Sequence, residues 1–492
     1  MISIDVQPRE VLAKVHDLVR MALPGYRLEE SLETGDEGHI FMECLEQGKR
    51  VKFIGSITMR GNPRVTSWEE EYLIDSSETG QKGQFKLAAR TFIYQLLCLH
   101  LERKFNPYGI LTGVRPVKLV HQLMDQKLTE EQVLGQLTGK YHIDFDKARL
   151  LMAVAQTNRP LFPEPCQSSC RRASLYIGIP FCPSRCSYCS FPGAAIGDYP
   201  QEVGVFMDAL LMEMEAVGKC VQEKNWLIDT IYVGGGTPTI LTEQHWERIF
   251  SVLRQKYISS ATREITVEAG RPDTLNLRLL TFLQQAGIDR ICVNPQSMQD
   301  QTLARIGRRH DRKMVADAVR WARQAGIRHI NMDIIVGLPG EGPADFLNTA
   351  QQVLELEPDN ITVHTLAVKK GSALSAAEGR VIDPQESKVA EQGINDLRQM
   401  FEAEGYRPYY LYRQKFMRAN LENIGYCLDQ SACLYNVMMM EERQTIIGLG
   451  GGAGSKFFAR GPRSLGNIHN PKDPQSYVRA LPRLIALKVD KL

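Results

Sequence analysis

From Ser174 onward the chain alternates short β-branched runs with longer amphipathic stretches, and does so six times in succession. Strand patterns fall at residues 175–179, 230–233, 264–268, 290–294, 330–336 and 360–365. Helical periodicity fills the gaps, at 202–221, 243–255, 275–286, 313–325, 343–354 and 386–405. Consecutive βα units can bury their strands only in a parallel sheet covered by helices, so the fold class is α/β, as a partial barrel or a doubly wound sheet. A barrel places its chemistry at the C-terminal ends of its strands.

A length of 492 residues exceeds one average domain. The run Asn158-Arg-Pro-Leu-Phe-Pro-Glu-Pro165 breaks regular structure and predicts a boundary. Upstream, residues 1–165 form an expected α+β domain, with helical patterns at 8–22, 86–104, 128–139 and 144–157 and strand-like runs at 39–46 and 49–59. The turn-rich stretch 109–116 has no evident purpose. Residues 171–405 hold the βα units, and 406–492 form a C-terminal extension.

With 59 basic against 57 acidic residues, no charge run suggests nucleic acid or a membrane surface as a partner. No apolar stretch is long enough for a membrane span, and Met1-Ile-Ser-Ile-Asp5 lacks the pattern of a signal peptide. A cytoplasmic protein is expected. Eleven cysteines then suggest a metal role rather than a disulfide framework.

That role has a place just after the first strand, in Tyr176-Ile-Gly-Ile-Pro-Phe-Cys182-Pro-Ser-Arg-Cys186-Ser-Tyr-Cys189. Three thiolates spaced by three and two residues suit a [4Fe–4S] cluster whose fourth iron is left open. A structural zinc wants four ligands, and the nearest extras, Cys166 and Cys170, lie well upstream. A buried structural role is opposed by the polar Pro183, Ser184, Arg185 and Ser187.

The spacing resembles the radical S-adenosylmethionine (SAM) superfamily. The preceding Tyr-Ile-x-Ile-Pro-Phe-Cys resembles its oxygen-independent coproporphyrinogen III oxidase family, and the likeness extends over about 174–454. The resemblance implies a partial (β/α)6 radical SAM barrel with Cys182, Cys186 and Cys189 on the cluster. It also implies an enzyme that cleaves SAM to a 5′-deoxyadenosyl radical, which removes hydrogen from a substrate carbon. An unidentified electron donor is then a partner.

Val233-Gly234-Gly235-Gly236-Thr237-Pro238 ends the second strand. By itself it reads as a turn; beside the cysteine loop it matches the family's glycine-rich SAM segment, where missing side chains let the backbone approach a bound amino acid. Glu268, Gln296 and Asp333 sit at or near later strand ends, and a carboxylate there can accept hydrogen bonds from ribose hydroxyls. By resemblance, Tyr176, Gly235 and Glu268 match positions that hold the cluster-bound SAM. Tyr188, Gly236, Thr237, Gln296, Arg308, Asp333 and Ala367 match positions that line a second SAM in porphyrinogen-decarboxylating members.

Two departures bear on function. Gly178 stands where decarboxylating members have histidine, and Phe191 where they have a further cysteine. A haem-delivering branch carries His-Asn-x-x-Tyr-Trp where this chain reads Cys433-Leu-Tyr435-Asn436, so that iron ligand is missing too. The stretch Tyr406 to Arg418 offers aromatic faces with Arg413, Lys415 and Arg418, which suits a tetrapyrrole with propionates or an amphipathic strand with a basic solvent face. The glycine-rich Gly448 to Lys456 lacks the context of a dinucleotide fingerprint. The expected function is oxidative decarboxylation of porphyrinogen propionates, with a haem-binding or haem-trafficking protein, or radical chemistry on another tetrapyrrole, as the alternatives.

Overall fold

The computed structural model describes all residues other than 32–34, 48–49, 75–77, 163–170, 190–193, 200, 367–383, 415–420 and 459–463. Two compact units emerge: Met1–Met152, and Ala153–Gly379 with Pro384–Leu492.

In the first unit, strands β1 (Ile2–Val6), β2 (Leu28–Glu30), β3 (Gly38–Gln47), β4 (Arg50–Met59) and β5 (Asn62–Leu73) form one sheet in the order β2-β1-β3-β4-β5. β1 runs parallel to both its neighbours, and β3, β4 and β5 form an antiparallel meander. The helix Glu78–Leu101 covers the sheet, and its Phe92 stacks on Phe53 with ring centroids 5.6 Å apart. Gly55 makes room, since a Cβ there would lie 2.9 Å from the Phe92 ring. The pattern at 128–139 resolves into a helix, Glu130–Gly135, whose cap is Thr129, continued by a π-helical turn, Gln136–Lys140. A further helix, Val117–Asp125, follows the turn-rich stretch.

The second unit contains a sheet of eleven strands. Its parallel core is β6 (Arg171–Ile179), β9 (Trp226–Gly235), β10 (Glu264–Glu268), β11 (Arg290–Cys292), β12 (His329–Val336) and β13 (Asn360–Thr365). A two-stranded pairing of β7 (Phe181–Cys182) with β8 (Ala194–Ala195) sits in the loop after β6. Every core strand lies beside its predecessor in sequence, so the order never reverses as it does in a doubly wound sheet. This is the partial-barrel alternative. Each of the helical patterns predicted between the strands is a helix.

The C-terminal segment extends the same sheet at both sides. β14 (Arg407–Arg413) and β15 (Glu422–Cys427) add antiparallel to β13; β16 (Thr445–Gly450) pairs parallel with β6, followed by antiparallel β17 (Gly454–Phe458) and β18 (Ser464–His469). β14 is not an amphipathic strand with a basic outer face. Tyr409, Tyr410 and Leu411 are buried and Arg413 is only 5% exposed; Lys415 and Arg418 lie outside the described residues.

Two buried ion pairs tie this architecture together. Arg290 on β11 donates from Nε and Nη2 to Glu264 on β10, at 3.1 and 3.0 Å, and from Nη2 to the Ser431 carbonyl at 2.7 Å. Glu213, on the helix Glu202–Glu223, accepts from Lys488 of the C-terminal helix Pro474–Lys491, and from Tyr477 and the Gly450 amide, both at 2.7 Å. Glu213 and Lys488 have no exposed surface. Removing one member of such a pair leaves the other charged and unpaired, which typically costs about 3–5 kcal/mol. Lys488→Met is therefore expected to lower the denaturant midpoint of the second unit markedly, whereas breaking the exposed Arg248–Asp208 pair with Arg248→Ala should cost less than about 1 kcal/mol. Equal shifts in urea unfolding would contradict this.

Candidate functional site

The site is organised around the glycine turn that ends β9. Gly235 adopts a φ of +112°, which glycine tolerates at no steric cost. The Gly236 amide donates to the Ile179 carbonyl and the Thr237 amide to the Phe181 carbonyl, both at 2.7 Å, so the turn lies flat on the loop that leaves β6. No side chain fits between them: a Cβ on Gly236 would be 2.3 Å from the Phe181 oxygen and 3.0 Å from Cys182 Sγ. Thr237 Oγ1 reaches Cys182 Sγ at 3.6 Å.

The cysteine loop is held from its other side by Arg271. This buried guanidinium donates to the Ser184 carbonyl at 3.2 Å and to Ser184 Oγ at 2.9 Å, and lies 3.6 Å from Cys186 Sγ. The Ser187 amide donates to the Ile306 carbonyl at 3.0 Å, and the Cys189 amide to the Cys186 carbonyl at 3.2 Å. Burial raises the Cys182 thiol, while Thr237 and Arg271 favour its thiolate. Among the described residues no three His, Cys, Asp or Glu side chains converge on a point suited to a single ion. Thiolates on a cuboidal cluster each bind a different iron and stand apart, so a sulfur-rich loop with donors aimed at two of its sulfurs fits a cluster.

Glu268, at the end of β10, bonds to the same turn: its Oε2 accepts from the Gly235 amide at 2.9 Å and its Oε1 from the Tyr232 hydroxyl at 2.8 Å. A Cβ on Gly234 would lie 2.8 Å from this carboxyl. Tyr232 stacks on Tyr176 and Tyr435, with centroids 6.0 and 4.6 Å away. Burial pushes the Glu268 carboxyl up to about 7, against the two donated hydrogen bonds. Tyr176, Gly235 and Glu268, matched to one SAM by resemblance, are thus brought together.

The second matched set falls into three groups. Gly236 and Thr237 belong to the turn already described. Arg308, in the basic stretch Gly307-Arg-Arg-His310, is only 9% exposed and donates to Tyr188 at 2.8 Å and the Gly270 carbonyl at 2.6 Å. Gln296, with a φ of +69°, donates its backbone amide to the Asp333 carbonyl at 2.9 Å; its side-chain Oε1 is buried and has no hydrogen-bond partner among the described residues. Asp333 accepts from Asn331 at 2.7 Å and faces His364 Nε2 at 3.5 Å. Burial opposes its charge, but His364 and Asn331 hold its carboxyl below the usual carboxylate value. Ala367 and Phe191 lie outside the described residues.

Several residues escaped the sequence reading. Arg271 stands three positions after Glu268, Tyr232 shares a strand face with Gly234, and His364 sits two residues after Thr362, the register partner of Asp333. Gly178 also acquires a reason. A Cβ there would lie 2.3 Å from the Gly451 carbonyl, in the turn whose Gly450 amide Glu213 holds.

A sequence model of the radical SAM superfamily matches residues 176–353. The oxygen-independent coproporphyrinogen-III oxidase-like protein HemZ of Bacillus subtilis is 38% identical over 425 residues, covering 86% of this chain and 84% of that protein. The chain belongs to the radical SAM coproporphyrinogen III oxidase-like family. The heme chaperone HemW of B. subtilis is 32% identical over 254 residues, covering 51% of this chain and 65% of HemW. The solved coproporphyrinogen III oxidase (HemN) of Escherichia coli shares the fold, with a TM-score of 0.52 at 22% identity over 68% of this chain and 72% of that one. Membership of the radical SAM family implies a [4Fe–4S] cluster and SAM. Among the described residues no helix is long and apolar enough to cross a membrane.

The buried Glu268 has a measurable consequence in the cofactor-free protein. Its folded-state affinity for a proton is raised, from the ordinary 4.5 to about 7. The stability this contributes is complete below about 4.5 and is lost as pH rises through about 7. Glu268→Gln should remove that component, so wild type should lose more stability than the variant between pH 4.5 and pH 8 in denaturant titrations. Parallel losses would show that Glu268 ionises freely.

Proposed function

We propose that this protein is an enzyme that oxidatively decarboxylates propionate side chains of a porphyrinogen by radical SAM chemistry. The reading is carried by one observation: a single glycine turn touches both the loop of Cys182, Cys186 and Cys189 and the carboxylate of Glu268. The three cysteines would bind the cluster. Tyr176, Gly234, Gly235 and Glu268 would hold SAM, and Tyr188, Gly236, Thr237, Gln296, Arg308, Asp333 and Ala367 would line the adjoining space, which in relatives accepts a second SAM. When bound, the reduced cluster and SAM supply methionine and a 5′-deoxyadenosyl radical.

The chain's own residues have separable tasks. Glu268 is fixed by Tyr232 and the Gly235 amide, so its carboxyl is positioned before a nucleoside arrives. Thr237 and Arg271 direct donors at two sulfurs, which disperses negative charge. The stacked Tyr176, Tyr232 and Tyr435 keep water from that side of the carboxyl.

A haem-carrying role is disfavoured by where its matched segment lies. Cys433 is buried and donates to Glu264 at 3.4 Å, and Tyr435 belongs to the tyrosine stack. Both are committed to the core.

Gly178 has no side chain with which to handle a proton, and the Gly451 carbonyl blocks any addition. Formation of 5′-deoxyadenosine is therefore expected to outpace loss of carbon dioxide. Anaerobic reconstitution with dithionite, SAM and coproporphyrinogen III, followed by mass analysis, tests this. Conversion to protoporphyrinogen at roughly one per second or faster would remove the inference from Gly178. Failure to cleave SAM with any reductant would replace the enzyme reading by the haem-binding one.

A further inference from the structure

The segment that follows β10 carries a pair of opposite charges within one turn of chain. Arg271 donates to the Asp273 carboxylate from Nε at 3.0 Å and from Nη2 at 3.2 Å. The pair is fixed from behind by the short helix Pro272–Thr274, which follows Arg271 directly. The Thr274 hydroxyl donates to the Arg271 carbonyl at 2.8 Å and lies 2.6 Å from the hydroxyl of Thr239, just past the glycine turn.

The guanidinium is turned in a particular direction. Asp273 takes its Nε and Nη2 edge, so Nη1 projects away from the carboxylate, to the Ser184 carbonyl at 3.2 Å and Cys186 Sγ at 3.6 Å. Arg271 is buried, where charge is poorly screened, and the pair acts as a fixed dipole whose positive end meets the sulfur. Holding the loop does not call for a charge. Ser184 offers a carbonyl and a hydroxyl, which a neutral amide could bond without the desolvation cost of a buried cation. A second buried guanidinium, Arg308, reaches the same loop at the Tyr188 hydroxyl, two residues beyond Cys186.

We propose that Arg271, oriented by Asp273, sets the reduction potential of the cluster held by Cys182, Cys186 and Cys189, raising it so that a milder electron donor suffices. This rests on the cluster reading given above. Reduction adds negative charge to a group that three thiolates already make anionic. A positive dipole end and an N–H donor at one of its sulfurs stabilise the reduced form more than the oxidised one. Arg271 is a tuning residue, exchanging no proton and touching no substrate. Asp273 moderates the effect, because its carboxylate on the far side cancels part of the guanidinium's field.

Redox titration of the reconstituted holoenzyme, followed by EPR of the reduced cluster, tests this. Arg271→Met should lower the midpoint potential by about 59 mV or more, a tenfold or greater change in the ratio of oxidised to reduced cluster for one electron. Arg271→Lys, which keeps the charge, should lower it less. Asp273→Asn, which uncovers the charge, should raise it. Opposite shifts from the two members of one ion pair are decisive, since loosening of the loop alone would move both variants the same way. Shifts of one sign, or unchanged potentials, at full iron content would overturn the tuning and leave the cluster and the proposed chemistry intact. Should Arg271→Met lose its iron, Arg271→Lys and Asp273→Asn carry the same test; loss of iron from all three would make Arg271 a clamp alone and overturn the proposal. Wild type that binds no iron–sulfur cluster would overturn the cluster reading itself.

Discussion

The contact between the glycine turn of β9 and the loop leaving β6 is the constraint on which the rest of this site depends. Amide-to-carbonyl hydrogen bonds of 2.7 Å bring two backbones together at a point where a Cβ would collide. Because nothing stands between them, Thr237 reaches Cys182 and the Gly235 amide reaches Glu268. A side chain at Gly236 would separate the sulfur loop from the carboxylate. The glycines are therefore required by the approach of two strands and not simply by turning of the chain.

Buried charge anchors that contact from a distance. Glu213, paired with Lys488, accepts from the Gly450 amide, and the turn Gly450–Gly451 presses on Gly178, four residues before Cys182. At the opposite ends of the strands, Arg290 and Glu264 lock β10 and β11 to the segment carrying Ser431 and Cys433. Ion pairs of this kind add little net stability, but they penalise any arrangement that leaves one charge alone. The C-terminal segment thereby belongs to the framework of the site.

Local patterns were legible in the sequence where burial is regular. All six parallel strands and the intervening helices follow from periodicity, and the cysteine loop from its spacing. β5 was not, because Val65, Trp68 and Leu73 are exposed on an edge strand and charged residues obscure its alternation. Arg271, His364 and the tyrosine stack were hidden for another reason. Their roles exist only once residues from separate strands share one face, and no spacing along the chain encodes that. Arg308 reads as a surface residue in its basic stretch Gly307-Arg-Arg-His310, yet Tyr188 and the Gly270 carbonyl bury it.

The central claim is that Cys182, Cys186 and Cys189 hold a cluster with one iron open to SAM beside Glu268. Metal analysis and EPR of anaerobically prepared protein test it most directly. About four irons per chain are expected, with a reduced-state spectrum that changes when SAM is added. Stoichiometric zinc, or an iron spectrum indifferent to SAM, would contradict it.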